Sequence, residues 1–485
     1  MTMAPSLRPL LILWTACAVL FSFSPAMGLA LLGFSAWKFS DSYREVGRQI
    51  QFSDTLGTYG LSLGLFVFVM YWLMQLPAPS DDLLRHIPGA AYGYSHPAIY
   101  PHSSFPDVNL YPTFEIAVGA LTQVWGPIVT VQVVMGLAWA FAFLLAWGLV
   151  RESGATLSAG ASVLLCLLFT TSLSSRLFLG RPEIFGVLWA LSALLCKRHW
   201  SLVLWVAGGA LFSTSYWLFP LYLVTVLLLP FGRKTQFLVA TLLGLFHVGF
   251  WSWHAGSLTT YIDIIRLIPV WTEDRLMSVM ETESIWQMFA QPSTLVLTLL
   301  GLAGMSKLPA ERRLALCLVG FAVLMTNMVR YAAVIALLMF VAALPLVPML
   351  NELIRKHFIP ALLVLVLPTM TAGELKHAAV PLSELPAFSI PAGATVLTGF
   401  NTATFAVPFF NPGKVKVIPA MELGATEKPY QLAAKAVNHG KLACSDIEGL
   451  TITHVVENSQ RTMPACLKLA GVQGQWRLWE VRHGR

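Results

Sequence analysis

The sequence predicts an all-α polytopic membrane protein followed by a small soluble α/β domain. Three observations predict it. Hydrophobic residues make up 56% of the 485 residues and charged residues only 11%, whereas soluble domains carry about 25% charged residues. Apolar runs recur that reach or approach the ~20 residues needed to cross a bilayer. After residue 376 those runs stop, and short β-branched and aromatic segments between turn residues take over.

About thirteen spans are predicted, near 8–24, 25–37, 56–76, 127–149, 155–173, 183–196, 201–214, 218–231, 235–254, 290–306, 314–328, 331–348 and 358–374. Pro25 divides the first pair, which reads as a kinked helix or a tight hairpin. The first run lacks a small-residue cleavage site and reads as a retained span. The segments 201–214 and 218–231 are short for a crossing and read as tilted or re-entrant.

The basic residues orient these spans. With a cytoplasmic N-terminus, the inner loops are "KFSDSYREVGRQ", "RESGA", "KRHW", "FGRKTQ", "KLPAERR" and "NELIRKH". Each carries Arg or Lys, as the positive-inside rule requires. The net charge of +7 is therefore spent on orientation, and no nucleic-acid partner is expected. The expected location is a bacterial inner membrane, consistent with the absence of any N-x-[ST] acceptor. Two outer loops, 77–126 and 255–289, exceed ordinary helix connections.

The division is thus 1–376 as a transmembrane domain and 377–485 as a periplasmic α/β domain. In the latter, "PAGATVLTGF", "GKVKVIPA", "GLTITHVVE" and "QWRLWEVRHG" read as strands, and "EKPYQLAAKAVNHG" as a helix ending at Gly440. Cys444 and Cys466 can form a disulfide if this region is exported. Cys17, Cys166, Cys196 and Cys317 lie in or beside apolar runs and read as packing residues. No P-loop is present and the inner loops are too short for a nucleotide-binding domain, so ATP-driven transport by this chain alone is excluded.

The chemistry is concentrated in the outer loops. "PSDDLLRH" places Asp81 and Asp82 directly after an uncharged span. Ser80 or Asp81 could simply cap a surface helix, with Asp81–Arg85 and Asp82–His86 attracting one another at four-residue spacing. Capping alone does not account for the adjoining segment. "AYGYSHPAIYPHSSFPDVNLYP" interleaves tyrosines and phenylalanine with His96, His102, Asp107 and Asn109. Rings for the apolar faces of a sugar and polar groups for its hydroxyls fit a glycan. Arg85, His86, Tyr94, His102, Asp107, Asn109, Tyr111, Glu183 and Tyr331 are the candidate substrate-binding residues. Arg176, Arg181, Arg266 and Arg330 stand on the outer side against the charge bias. Guanidinium groups bind phosphate bidentately, so these four are candidates for a donor phosphate.

Together these features fit a sugar carried on a polyprenyl phosphate. A carboxylate takes the proton of an acceptor hydroxyl, the hydroxyl attacks the anomeric carbon, and the lipid phosphate leaves with the bonding electrons. Asp81 is the first candidate for the base and Asp82 the second. Asp82 could instead hold geometry or ligate a divalent ion, Mg2+ or Mn2+. Otherwise no cofactor is expected.

In these features the chain resembles the GT-C superfamily of membrane glycosyltransferases, with Asp81-Asp82 in the first large outer loop and "DDLLRH…YGY…NLYP" and "GRPE" as the motif-level similarity. The likeness is architectural over most of the chain and local to residues 80–112 and 176–183 in motif. It implies an inverting transferase that uses a polyprenyl-phosphate sugar as donor and a glycan, lipid or protein as acceptor. A soluble extracytoplasmic C-terminal domain recurs in arabinofuranosyltransferase-like members. No oligosaccharyltransferase W-W-D signature occurs.

Three other classes remain open on sequence. A polysaccharide ligase or polymerase would use the same carriers and external arginines. A transporter of lipid-linked sugars would need ionisable groups near the bilayer midplane, whereas 127–149, 155–173, 201–231 and 314–328 carry none. A non-catalytic subunit of envelope assembly is the third. The sequence leaves oligomeric state, donor sugar and acceptor undetermined.

Overall fold

The structure is a computed structural model that describes residues 78–79, 82–103, 111–152, 182–212, 219–229, 231–263, 285–290, 292–326, 332–350, 379–380, 384–419, 426–458 and 463–482, with isolated positions between 165 and 177. The predicted spans at 8–24, 25–37, 56–76 and 358–374, and most of 155–173, lie outside these residues.

The described part before the C-terminal sheet is mostly helical. Among the described residues, Pro112–Glu152, Arg233–His254 and Ala332–Leu350 are long and apolar enough to cross a bilayer. Pro182–Leu195 and Ser293–Met305 are shorter apolar helices. The elements before the C-terminal domain are β1 (Ala78–Pro79), α1 (Asp82–Tyr92), α2 (His96–Ile99), α3 (Pro112–Glu152), α4 (Pro182–Ser192), α5 (His199–Phe212), α6 (Phe219–Leu228), α7 (Arg233–His254), α8 (Pro292–Met305), α9 (Ala310–Thr326) and α10 (Ala332–Ala343).

Two expectations change here. The segment 112–125, expected as part of the loop 77–126, is helical and meets the span expected at 127–149 across a break at Gly126. Gly126 breaks α3 with φ 78° and ψ 167°, a conformation that costs glycine little. Pro127 then restarts the helix, where its missing N–H does no harm. The apolar run is visible in sequence, but its Gly-Pro break reads there as the end of a loop. Cys317 is the second change. It lies exposed on α9, while Cys166 and Cys196 are buried.

Helix contacts follow from residue size. Gly301 and Gly304 let α8 lie directly on the α10 backbone at Met339 and Ala342, where an added methyl group would collide. Small residues at a contact are the usual means of close helix approach in membranes. α10 is buried nearly all round, the pattern of a central helix. α4 and α5 are joined by two indoles: Trp189 Nε1 donates to the Trp205 carbonyl at 3.0 Å, and Trp205 Nε1 donates to the Trp189 carbonyl at 2.9 Å. Burying two indoles without partners would be costly.

The C-terminal region adds β2 (Ala379–Val380), β3 (Thr395–Thr398), α11 (Asn401–Phe410), β4 (Lys416–Ile418), α12 (Lys428–Asn438), β5 (His454–Glu457), β6 (Leu467–Gln473) and β7 (Trp476–Val481). Five strands form one sheet in the order β4-β3-β5-β7-β6. β3 is parallel to β4 and β5, while β7 is antiparallel to β5 and β6. β3 to β4 crosses through α11 and β4 to β5 through α12, the connection that parallel strands require. Alternate residues face opposite layers. Val396, Val417 and Val456 pack with Ala403 and Val407 of α11. Leu397, Ile418 and Val455 pack with Tyr430, Ala433 and Val437 of α12. The expected strands and the helix at 428–438 are present, and Gly440 follows that helix with φ 62°. A disulfide joins Cys444 and Cys466, with their Cα atoms 5.9 Å apart.

This domain is packed onto the segment after Pro79. β1 and β2 pair antiparallel, Ala78 with Val380 and Pro79 with Ala379. α11 is shared between two cores: Ala403 and Val407 face the sheet, whereas Phe405, Ala406 and Phe409 join Leu83, Leu84 and Ile87 of α1 in the core of the helical bundle.

Candidate functional site

α1 begins at Asp82, the second residue of the acidic pair. The segment "DLLRHIPGAAY" is buried at Leu83, Leu84, His86 and Ile87. These positions set α1 between α3 and α11. Gly119 of α3 lies against the Ala90 carbonyl of α1, where an added methyl group would collide. The small residues of "GAA" and "VGA" are what allow the two helices to approach.

A polar contact crosses this apolar interface. His86 Nδ1 lies 2.8 Å from Glu115 Oε1. The carboxylate accepts, so Nδ1 carries the hydrogen and the orientation of the ring is fixed. The imidazole is also fixed by edge contacts with Tyr111 at 5.3 Å and Phe114 at 5.7 Å between ring centres. Its Nε2 is buried and has no hydrogen-bond partner among the described residues. Asp82 precedes His86 by four residues in α1.

Neighbouring groups extend the cluster. Phe114 contacts Phe185 at 6.0 Å between ring centres, which sets the first turns of α3 and α4 side by side. Glu183 lies in that first turn of α4. His96 is held down to about 3, because its ring is buried and because the charges of Arg85 and His86 oppose a further positive charge. Arg85, His86 and His96 are therefore within electrostatic reach of one another.

The expected site residues divide into three groups. Arg85, His86, Tyr111 and Glu183 are gathered at the start of α1, α3 and α4. Tyr94 and His102 are engaged by the C-terminal domain. Tyr94 lies on Gly413. His102 stacks on Tyr430 with ring centres 3.7 Å apart, and its Nδ1 lies 3.1 Å from Glu427 Oε2. The Glu427 backbone N–H donates to the His102 carbonyl at 2.9 Å, beside a Ser103–Thr426 bridge. Asp81, Asp107, Asn109, Arg176, Arg181, Arg266, Arg330 and Tyr331 lie outside the described residues, as does the side chain of Asp82. No group of three His, Cys, Asp or Glu side chains able to hold a metal occurs among the described residues.

Glu115 is the residue that sequence reasoning missed. Its signal is a lone carboxylate in the first turn of a long apolar helix, directly after the aromatic stretch "NLYPTF". No protein-family model matches the chain, and no curated protein is significantly similar to it.

Proposed function

We propose that this protein is an inverting glycosyltransferase of GT-C type. It moves a sugar from a polyprenyl-phosphate donor to an envelope glycan, lipid or protein acceptor at the outer membrane face. The observation that supports this reading is α1 itself, which begins at Asp82: the strand just before it pairs with the C-terminal domain through β1–β2, and its second turn carries the Glu115-oriented His86.

In this reading Asp81 or Asp82 takes the proton from the acceptor hydroxyl as its oxygen attacks the anomeric carbon. The bond from that carbon to the phosphate oxygen breaks, and inversion results from attack opposite the leaving group. The phosphate leaves as an anion, so cations rather than a general acid stabilise it. Arg176, Arg181, Arg266 and Arg330 are proposed for that role. Glu115 and His86 position α1. The proposed orientation places the C-terminal domain and this cluster on the periplasmic side. A divalent ion on Asp82 is not required by this scheme.

The test is a comparison of envelope glycans and lipid-linked sugars by mass spectrometry, with and without the protein and with Asp81→Asn. Loss of one sugar with accumulation of its lipid-linked donor supports a transferase. Redistribution of donor between leaflets, with no bond formed, would instead indicate transport.

A further inference from the structure

At the end of α3 remote from Glu115, a cavity of about 570 Å³ opens between helices. Among the described residues it is lined by the ends of α3, α6 and α10, the turns that follow α4 and α10, and the α8–α9 turn with the start of α9. Its walls are apolar, with Leu149, Leu194, Leu228, Leu316 and Val341 among the lining residues. Its polar lining is Glu152, Lys197 and Arg312.

Basic residues outnumber acidic ones at this end, where Glu152 and the exposed Glu311 are the carboxylates among the described residues beside the lining. Lys197 forms an ion pair with Glu152. Arg312 is exposed and has no ion-pair partner among the described residues. Arg151, Arg198 and Arg313 adjoin the lining residues in sequence and are also exposed. Helix ends rich in Arg and Lys are where a protein meets the anionic leaflet. A leucine-walled hole of this size beside a free guanidinium has the two chemistries of an amphiphile, an apolar chain and an anionic head. A soluble anion would leave the apolar walls unused, and a neutral lipid would leave Arg312 unpaired.

We propose that this cavity binds an anionic phospholipid of the adjacent leaflet, with an acyl chain between α3, α4 and α10 and its phosphate on Arg312 and Lys197. The Glu152 carboxylate competes with the phosphate for Lys197 and so limits the affinity. This site is separate from the acidic pair and does not depend on the reaction proposed above.

The full chain, purified in detergent, is titrated with dioleoylphosphatidylglycerol or dioleoylphosphatidylcholine, and bound lipid is counted by native mass spectrometry. The expected result is selective retention of phosphatidylglycerol. Arg312→Gln should weaken it about fivefold, the value of one basic residue near a membrane surface. Arg312→Lys should restore most of the loss. Glu152→Gln should strengthen retention, because it frees Lys197. Arg312 is exposed, so these variants should fold, and a thermal melt checks that they do. Equal retention of the two lipids, or retention unchanged by Arg312→Gln in the folded variant, would overturn the proposal. Displacement of the lipid by inorganic phosphate would overturn it as well, reassigning the site to a soluble anion.

Discussion

His86 of α1 and Glu115 of α3 meet at 2.8 Å across an otherwise apolar helix contact. His86 is almost fully buried, while Glu115 keeps about a fifth of its side chain exposed. The pair therefore reaches from the core of the bundle toward its surface, one turn beyond the acidic pair. Removing the acceptor strands a buried imidazole N–H, at a cost of about 1–3 kcal/mol. Glu115→Ala should lower the thermal midpoint in detergent. Glu115→Gln keeps an acceptor at the same reach and should recover most of that loss. Equal melting of the two variants would mean that the bond does not hold α1 in place.

The acidic pair carries the functional test. A general base contributes about 10²–10⁴-fold to rate. Asp81→Asn should reduce transfer by that order if Asp81 is the base, with insertion and melting unchanged. Asp82→Asn should have the smaller effect. The reverse order would assign the base to Asp82, at the first residue of α1. Full glycan output from both variants would remove the base assignment altogether.

Much of the architecture was legible because membrane helices and buried strands announce themselves by composition. The helices near 199–254 and 292–350 lie where apolar runs put them. So do β3, β4, β5 and β7. What was not legible had a local reason in each case. α11, "NTATFAVPFF", contains Pro408 and is rich in aromatic and β-branched residues, which argue against a helix. Burial on two faces, one toward the sheet and one toward α1, stabilises it in spite of its propensity. β6, "LKLAGVQ", is largely exposed and shifts register between Leu469 and Gly471, so no apolar alternation marks it. The site was half legible. The residue types in the segment 77–126 signalled polar chemistry, but which of them face one another depended on a C-terminal region some three hundred residues away. Thus Tyr94 and His102, read as sugar contacts, spend their rings on Gly413 and Tyr430.

His96 makes a prediction about pH. Its folded value is depressed to about 3, from an ordinary 6.5, by burial first and by Arg85 and His86 next. Below about pH 6.5 the unfolded chain binds this proton and the folded chain does not. Stability at this segment should therefore fall as pH drops from about 6.5 toward 3, with a slope below the single-proton limit of about 1.4 kcal/mol per pH unit. His96→Asn should flatten that part of the profile. Hydrogen exchange of residues 96–100 as a function of pH measures it, and an identical profile in the variant would show that another group titrates.

The docking of the C-terminal domain can be probed at His102. Its stack on Tyr430 and its contact with Glu427 are two of the ties between the segment 96–103 and the residues in and just before α12. Glu427 is well exposed, so that polar contact alone contributes little, about 0–1 kcal/mol, and the ring contact should dominate. His102→Ala should raise exchange at residues 426–431, while His102→Phe should leave it close to wild type. If His102→Phe is as loose as His102→Ala, the contact with Glu427 outweighs the stack.

The disulfide should matter to the domain and not to the membrane bundle. Cys444 and Cys466 are 22 residues apart, and a cross-link of that span stabilises by about 3 kcal/mol in the chain-entropy account. It fixes the 3₁₀ turn Cys444–Asp446 beside the start of β6, an edge strand that has β7 as its one partner in the sheet. Cys444→Ser with Cys466→Ser should therefore raise exchange first in β6 and the 444–450 turn. Exchange in α3 and α10 should stay as it was. Because α11 is shared with α1, protection at Leu83, Leu84 and Ile87 should track the fate of α11 and not that of β6. A uniform loss of protection across sheet, α11 and α1 would instead mean that the domain and the entry helix unfold as one unit.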